Sequence, residues 1–260
     1  MKSFNYKQTP IYYQDEGEGK PLLLIHGFLE NSSMWNDFTK LWKSNFRVIR
    51  IDLPGHGNTA AHTYLHSMAF YAQVCHQFIT DLKLEKTIVV GHSMGGYIGL
   101  ELIDQFPDKI DQLILLNSTA LADSEERKAE RTRAVKAIQQ FPEAFVSMAV
   151  KNLFLPENQN RLKQAIEQAI AEAKKCTTQG IIATLEGLKT RKNHQETLAK
   201  TKVKSTIVAG KKDQVVNYAP TKQLAKETST RLVSLPGGHM SHLEFPQETF
   251  EIISNLIAKK

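Results

Sequence analysis

Six residues, Gly91-His92-Ser93-Met94-Gly95-Gly96, stand directly behind the β-branched run Thr87-Ile88-Val89-Val90. That run reads as a buried strand, and residues 94–106 read as the helix that follows it. A serine with glycine at −2 and +2 on a strand-to-helix junction is the pattern of a nucleophile elbow. The turn there is so tight that bulky neighbours two residues away would clash. Ser93 is the candidate nucleophile. Its hydroxyl is weakly nucleophilic at neutral pH, so this reading requires a base elsewhere in the chain.

Two loops supply the partners. Asp213 follows the strand-like run Thr206-Ile207-Val208-Ala209 and the turn Gly210-Lys211-Lys212. His239 follows Leu232-Val233-Ser234-Leu235 and Pro236-Gly237-Gly238. Each lies where a strand ends, and in an open parallel sheet such loops share one edge. His239 is the expected base, because imidazole titrates near neutrality, and Asp213 is expected to hold its tautomer. A third loop, His26-Gly27-Phe28, leaves the strand Leu22-Leu23-Leu24-Ile25. The backbone N–H groups of Phe28 and Met94 are expected to form an oxyanion hole.

With these segments the chain resembles the α/β-hydrolase fold family, in its serine-hydrolase, carboxylesterase-like branch. The resemblance spans nearly the whole length apart from a middle segment. It rests on the elbow, on His26-Gly27-Phe28, on Asp52-Leu53-Pro54-Gly55-His56-Gly57, and on His239 with Glu244 and Pro246 behind it. The order Ser…Asp…His is that family's order. His242 competes with His239 for the role of base, but His239 follows the glycine pair and keeps the family's spacing to Glu244 and Pro246. The resemblance implies hydrolysis of a carboxylic ester or thioester of a small molecule through an acyl-enzyme, with no cofactor. Two other functions fit the same residues: a carbon–carbon bond hydrolase or menaquinone-pathway lyase-like member of the fold, and a ligand sensor with little turnover. Haloalkane dehalogenases and epoxide hydrolases are disfavoured, because they carry aspartate where this chain has Ser93.

The elements that must position these residues follow from the same patterns. An antiparallel pair is expected in 3–14, then strands near 21–25, 46–51, 86–91, 111–116, 203–209 and 231–236, alternating with helices. That alternation predicts a mostly parallel sheet covered on both faces. Between Asn117 and Thr201 it stops, and helical patterns at 124–140, 142–154, 158–176 and 179–190 take over. The expected organisation is a core hydrolase domain in two parts, 1–119 and 203–260, with a helical cap inserted at 120–202. Apolar residues of that insertion, Phe141, Phe145, Met148, Leu153 and Phe154, are read as its own core rather than as an acyl pocket.

The chain has 260 residues, 41% of them hydrophobic and 23% charged, enough for a substantial core. Its formal net charge is +6, and the 120–202 segment, with 15 Lys and Arg against 10 Asp and Glu, accounts for +5. That excess suits an anionic substrate or an acidic carrier protein, but local pairing on a solvated helix surface, such as Glu126 and Glu130 with Arg133, is the preferred reading. Nucleic-acid binding is not expected, since no basic stripe with interleaved aromatics accompanies the pI near 9.1. His62, His66, His76 and His194 fall in surface-like or helical stretches, and neither they nor Cys75 and Cys176 show metal-ligand spacing, so no metal is expected. The start, Met1-Lys2-Ser3-Phe4-Asn5-Tyr6, lacks a signal-peptide core, and no apolar stretch reaches membrane-spanning length. With two unpaired cysteines this leads to an expected cytoplasmic location. The glycosylation-type patterns at Asn31 and Asn117 are then idle.

Overall fold

One eight-stranded sheet organises the molecule, which a computed structural model describes over residues 1–258. The strands are β1 (Lys2–Tyr6), β2 (Thr9–Glu16), β3 (Lys20–Ile25), β4 (Phe46–Ile51), β5 (Thr87–His92), β6 (Ile110–Leu116), β7 (Lys204–Gly210) and β8 (Arg231–Leu235). Their spatial order is β1-β2-β4-β3-β5-β6-β7-β8. β1 and β2 form the expected antiparallel pair, β2 pairs antiparallel with β4, and all other neighbours run parallel. The order of connections reverses at β3. Its C-terminal loop therefore emerges beside that of β5, with Ile25 opposite Gly91. Such a switch point opens a crevice at the carboxyl edge of the sheet.

Alternation along the strands divides the core between the two faces. Leu23, Ile25, Val89, Leu113 and Ile207 pack against helices α2 (Met68–Asp81) and α3 (Met94–Gln105). The intervening Leu22, Leu24, Ile88, Val90, Ile114 and Val208 pack against Trp35, against α1 (Asn36–Trp42), and against α11 (Pro246–Ala258). Each such aliphatic side chain, removed wholly from water, contributes about 1.5–3 kcal/mol. β5 is buried along its whole length, as a central parallel strand covered on both faces must be.

Between β6 and β7 lie α4 (Glu125–Gln140), α5 (Pro142–Lys151), α6 (Lys163–Ala173), α7 (Thr178–Lys189) and α8 (Gln195–Lys200). Side-chain oxygens of Ser124 and Thr177 cap α4 and α7, accepting from the backbone N–H of Arg127 and Gly180. Helices α4 to α7 share a third apolar cluster that includes Ile138, Phe145, Val146, Ile166, Ile181 and Leu185, and it reaches Leu29 and Met240 of the loops at the sheet edge.

Several boundaries differ from expectation. α6 is shorter than 158–176, because a separate 3-10 turn occupies Pro156–Asn158. α8 was not anticipated; six residues show no helical period, and the helix is held instead by buried Leu198 and by His194, 3.1 Å from Glu101. Helix α9 (Tyr218–Glu227) joins β7 to β8, and the C-terminal helix expected over 243–257 is broken into α10 (Ser241–Glu244) and α11, with Phe245 between them outside helical dihedrals. Pro246 disfavours helical backbone in the residue before it.

His66 and His194 are buried rather than surface-like. Burial pushes His66 down to about 4; burial, with His92 beside it, pushes His242 to about 3; and burial lowers His26 and His56 too. Unfolded, each would titrate near 6.5. Each lowered group therefore stabilises the fold above that pH and loses its contribution as pH falls toward its folded value. The slope is about 1.4 kcal/mol per pH unit for each histidine fully protonated in the unfolded chain alone. Urea unfolding midpoints are expected to drop steeply between pH 6 and 4. A stability unchanged from pH 7 to pH 5 would contradict this.

Candidate active site

The strand-to-helix turn after β5 holds Ser93 at φ 49° and ψ −113°, a strained left-handed conformation for a non-glycine residue. Glycine at 91 and 95 is required sterically. A methyl group on Gly95 would overlap the carbonyl of Ile25, and one on Gly91 would overlap the backbone of Gly95. The neighbours hold the turn: Ser93 N–H donates to the Leu116 carbonyl at 2.9 Å, and Ser118 Oγ donates to the Ser93 carbonyl at 2.8 Å.

Ser93 Oγ lies 2.9 Å from His239 Nε2, and His239 Nδ1 lies 3.0 and 3.1 Å from the two carboxylate oxygens of Asp213. Asp213 Oδ1 also accepts from the N–H groups of Val215 (2.8 Å) and Val216 (2.9 Å). Burial alone would raise this carboxyl, but the facing His239 ring and those two N–H donors hold it below the usual carboxylate range. Phe28, Ser93, Met94 and His239 line one cavity of about 610 Å³, with Asp213 behind the imidazole. Neither Phe28 N–H nor Met94 N–H is taken by another group of the protein among the described residues. All five residues singled out in the sequence are thus brought to one place.

Two further residues hold the loops, and sequence reasoning missed the first. Asn117, at the end of β6, donates through Nδ2 to Asp213 Oδ2 (3.1 Å) and to the Gly238 carbonyl (2.9 Å). In the sequence it stood out only as a glycosylation-type asparagine, whereas the fold buries it. The usable signal was its place at the carboxyl end of a strand between the elbow strand and the aspartate strand. Glu244, noted only for its spacing to His239, accepts from Gly238 N–H at 2.7 Å and from Leu155 N–H at 2.8 Å, tying the histidine loop to the inserted helices.

Metal-ligand spacing is absent from the sequence, yet the fold gathers Glu30, His92 and His242 with their ligand-type atoms within 4.8 Å of one another. Glu30 and His92 are already paired to each other at 2.7 Å. Tertiary contact across 62 residues creates this group, which no local spacing reveals.

The family described as alpha/beta hydrolase fold matches residues 20–246 of this chain. The chain belongs to the α/β-hydrolase fold family. Over 93% of its length it is 26% identical to the monoacylglycerol lipase ABHD6 of Mus musculus, covering 76% of that protein. A thermophilic esterase from Thermogutta terrifontis superposes with a TM-score of 0.90 at 23% identity, over 96% of this chain and 93% of that one. The enol-lactonase from Burkholderia xenovorans LB400 gives 0.92 at 22% identity, over 99% and 100%.

In this α/β hydrolase the helices between β6 and β7 supply much of the cavity wall. Phe145, Met148, Ala149 and Leu153 face it together with Leu185 and Leu188. Phe145, Met148 and Leu153 were expected to be core; Phe145 and Leu153 are core and line the cavity too, Met148 lines the cavity but is largely exposed, Phe154 is core and Phe141 is exposed. Much of the segment's charge is paired locally: Arg127 with Glu130 at 2.7 Å, and Arg131 and Arg191 both with Asp123, at 2.5 and 2.8 Å. Glu130 meets Arg127 rather than the Arg133 expected. Among the described residues no helix is long and apolar enough to cross a membrane.

Proposed function

We propose that this protein hydrolyses a carboxylic ester or thioester of a small molecule with an apolar acyl group, using Ser93, His239 and Asp213 and passing through an acyl-enzyme. The observation that carries the reading is the continuous hydrogen-bond chain Ser93 Oγ–His239–Asp213 opening onto a cavity whose wall includes Phe145, Met148, Leu153, Leu185 and Leu188. His239 Nε2 accepts the Ser93 proton as Oγ attacks the acyl carbon, then gives it to the leaving group. Asp213 keeps the proton on Nδ1, so that Nε2 faces the serine as an acceptor, and stabilises the imidazolium that forms. The N–H groups of Phe28 and Met94 receive the negative charge of the tetrahedral intermediate, each worth roughly 3–4 kcal/mol of barrier. Water then attacks the acyl-enzyme with His239 as base.

The helices α4–α7 act as a cap whose apolar face receives the acyl chain. A cavity of about 610 Å³ falls in the ordinary range for a small-molecule site. The name of the murine relative, a monoacylglycerol lipase, supports an acyl ester as the substrate class. Steady-state hydrolysis of p-nitrophenyl esters of increasing acyl length tests this. Activity is expected to rise with chain length and then to fall, and Met148→Trp is expected to move the optimum to a shorter chain. Absence of turnover on every ester and thioester tried would overturn the reading in favour of carbon–carbon substrates or a sensor.

A further inference from the structure

Behind the triad lie a buried carboxylate and a buried imidazole that the mechanism above leaves unused. Glu30 Oε2 accepts from the Gly27 N–H at 2.7 Å and lies 2.7 Å from His92 Nδ1. His92 Nε2 lies 3.0 Å from the carbonyl oxygen of His239. A carbonyl only accepts, so Nε2 carries a proton. Burial alone would raise Glu30, but the charge and hydrogen bond of His92, with His242 and the Gly27 N–H, bring it down to about 2. An ionised carboxylate also only accepts, so Nδ1 carries a proton as well. Both ring nitrogens donate when His92 is an imidazolium and Glu30 a carboxylate. Burial opposes that state, but Glu30, the His239 carbonyl and Asp213 outweigh it and raise the group. The remaining neighbour, His242, whose Nε2 is 3.8 Å from Glu30 Oε1, stays neutral down to about pH 3.

The three anchor points of this pair have a common property. Gly27 precedes Phe28, His92 precedes Ser93, and the His239 carbonyl belongs to the base itself. One ion pair therefore grips the oxyanion loop, the elbow and the base loop, each within one residue of the group that reacts. We propose that Glu30 and His92 are positioning residues, an ion pair that holds the oxyanion donor, the nucleophile and the base in mutual register for the reaction. It sits back to back with the Asp213–His239 pair, one imidazole moving a proton and the other keeping both of its own. A displacement of about 1 Å in such a site costs on the order of a hundredfold in rate.

This inference rests on the Ser93 chemistry proposed above, and its test has one readout that needs no catalysis. In the full chain carrying 15N-labelled histidine, both His92 ring nitrogens are expected to report the protonated form at pH 7.5. The signal is assigned by its loss in His92→Asn. Glu30→Gln keeps the shape but removes the charge, so one of those two protons is expected to go. In the same variant kcat is expected to fall ten- to a hundredfold with KM within threefold, and Glu30→Gln/His92→Asn is expected to fall no further than the worse single variant. A neutral His92 in the wild type would overturn the proposal. So would a folded Glu30→Gln with kcat within threefold of wild type, even if its urea midpoint drops, because the pair would then be structural alone. Should Glu30→Gln not fold, Glu30→Asp, which keeps the charge one methylene further back, decides: kcat within threefold of wild type overturns, and a tenfold loss supports. Activity surviving in Ser93→Ala would instead count against the Ser93 chemistry and leave the His92 spectrum to be judged by itself.

Discussion

Ser93→Ala is expected to lower kcat for ester hydrolysis by a factor on the order of 10⁶, the loss found when a triad nucleophile is removed from a serine hydrolase. The variant should remain folded. The Ser93 side chain makes one hydrogen bond, to His239, and the turn is held by backbone bonds and by Ser118, none of which the substitution touches. Alanine at φ 49° is strained in the same way as serine, so the elbow gains no new reason to relax. Burst-phase release of p-nitrophenol, with one equivalent per site in the wild type and none in the variant, reads the acyl-enzyme directly. Turnover within tenfold of wild type, with an unchanged circular dichroism spectrum, would remove Ser93 from the mechanism.

Asp213→Asn is expected to lower kcat by about 10⁴ while leaving substrate affinity largely intact. The side-chain oxygen of asparagine can still accept from Val215 and Val216, which places its NH₂ group toward His239 and toward the Asn117 amide that now donates to Asp213. Facing a donor, His239 Nδ1 must become the acceptor. The ring proton then moves to Nε2, where it points at Ser93 and cannot receive the serine proton. Packing is preserved, so the loss is one of tautomer rather than of fold. Single-turnover acylation measures it without interference from product release. A loss of less than tenfold would mean that Asp213 does not orient the base.

The candidate constellation was legible because each of its parts is local. The Gly-x-Ser-x-Gly turn, the Gly pair before His239 and the Gly-Lys-Lys-Asp turn are each written in adjacent residues, and each stands behind a run that reads as a strand. The strand positions followed for the same reason. The helices of the insertion were legible as helices, since their apolar period is local too, but the wall they present to Ser93 was not. Phe145, Met148 and Leu153 were read as core, and which side they face depends on how α4 to α7 pack on one another. Short α8 carried no period, and the break before α11 turned on the single preference of a residue preceding proline.

By itself the sequence determined which atoms are the candidates for the chemistry and in what order along the chain they come, because an elbow, a turn and a strand depend on neighbours within a few residues. Only the tertiary structure decided what surrounds those atoms. The Glu30–His92 pair joins residues 62 positions apart, Asn117 meets Asp213 across 96, and Glu244 meets Leu155 across 89. A hydrogen bond between distant segments leaves no periodic trace, because nothing in the chain fixes their separation until the sheet has closed and its C-terminal loops share one edge.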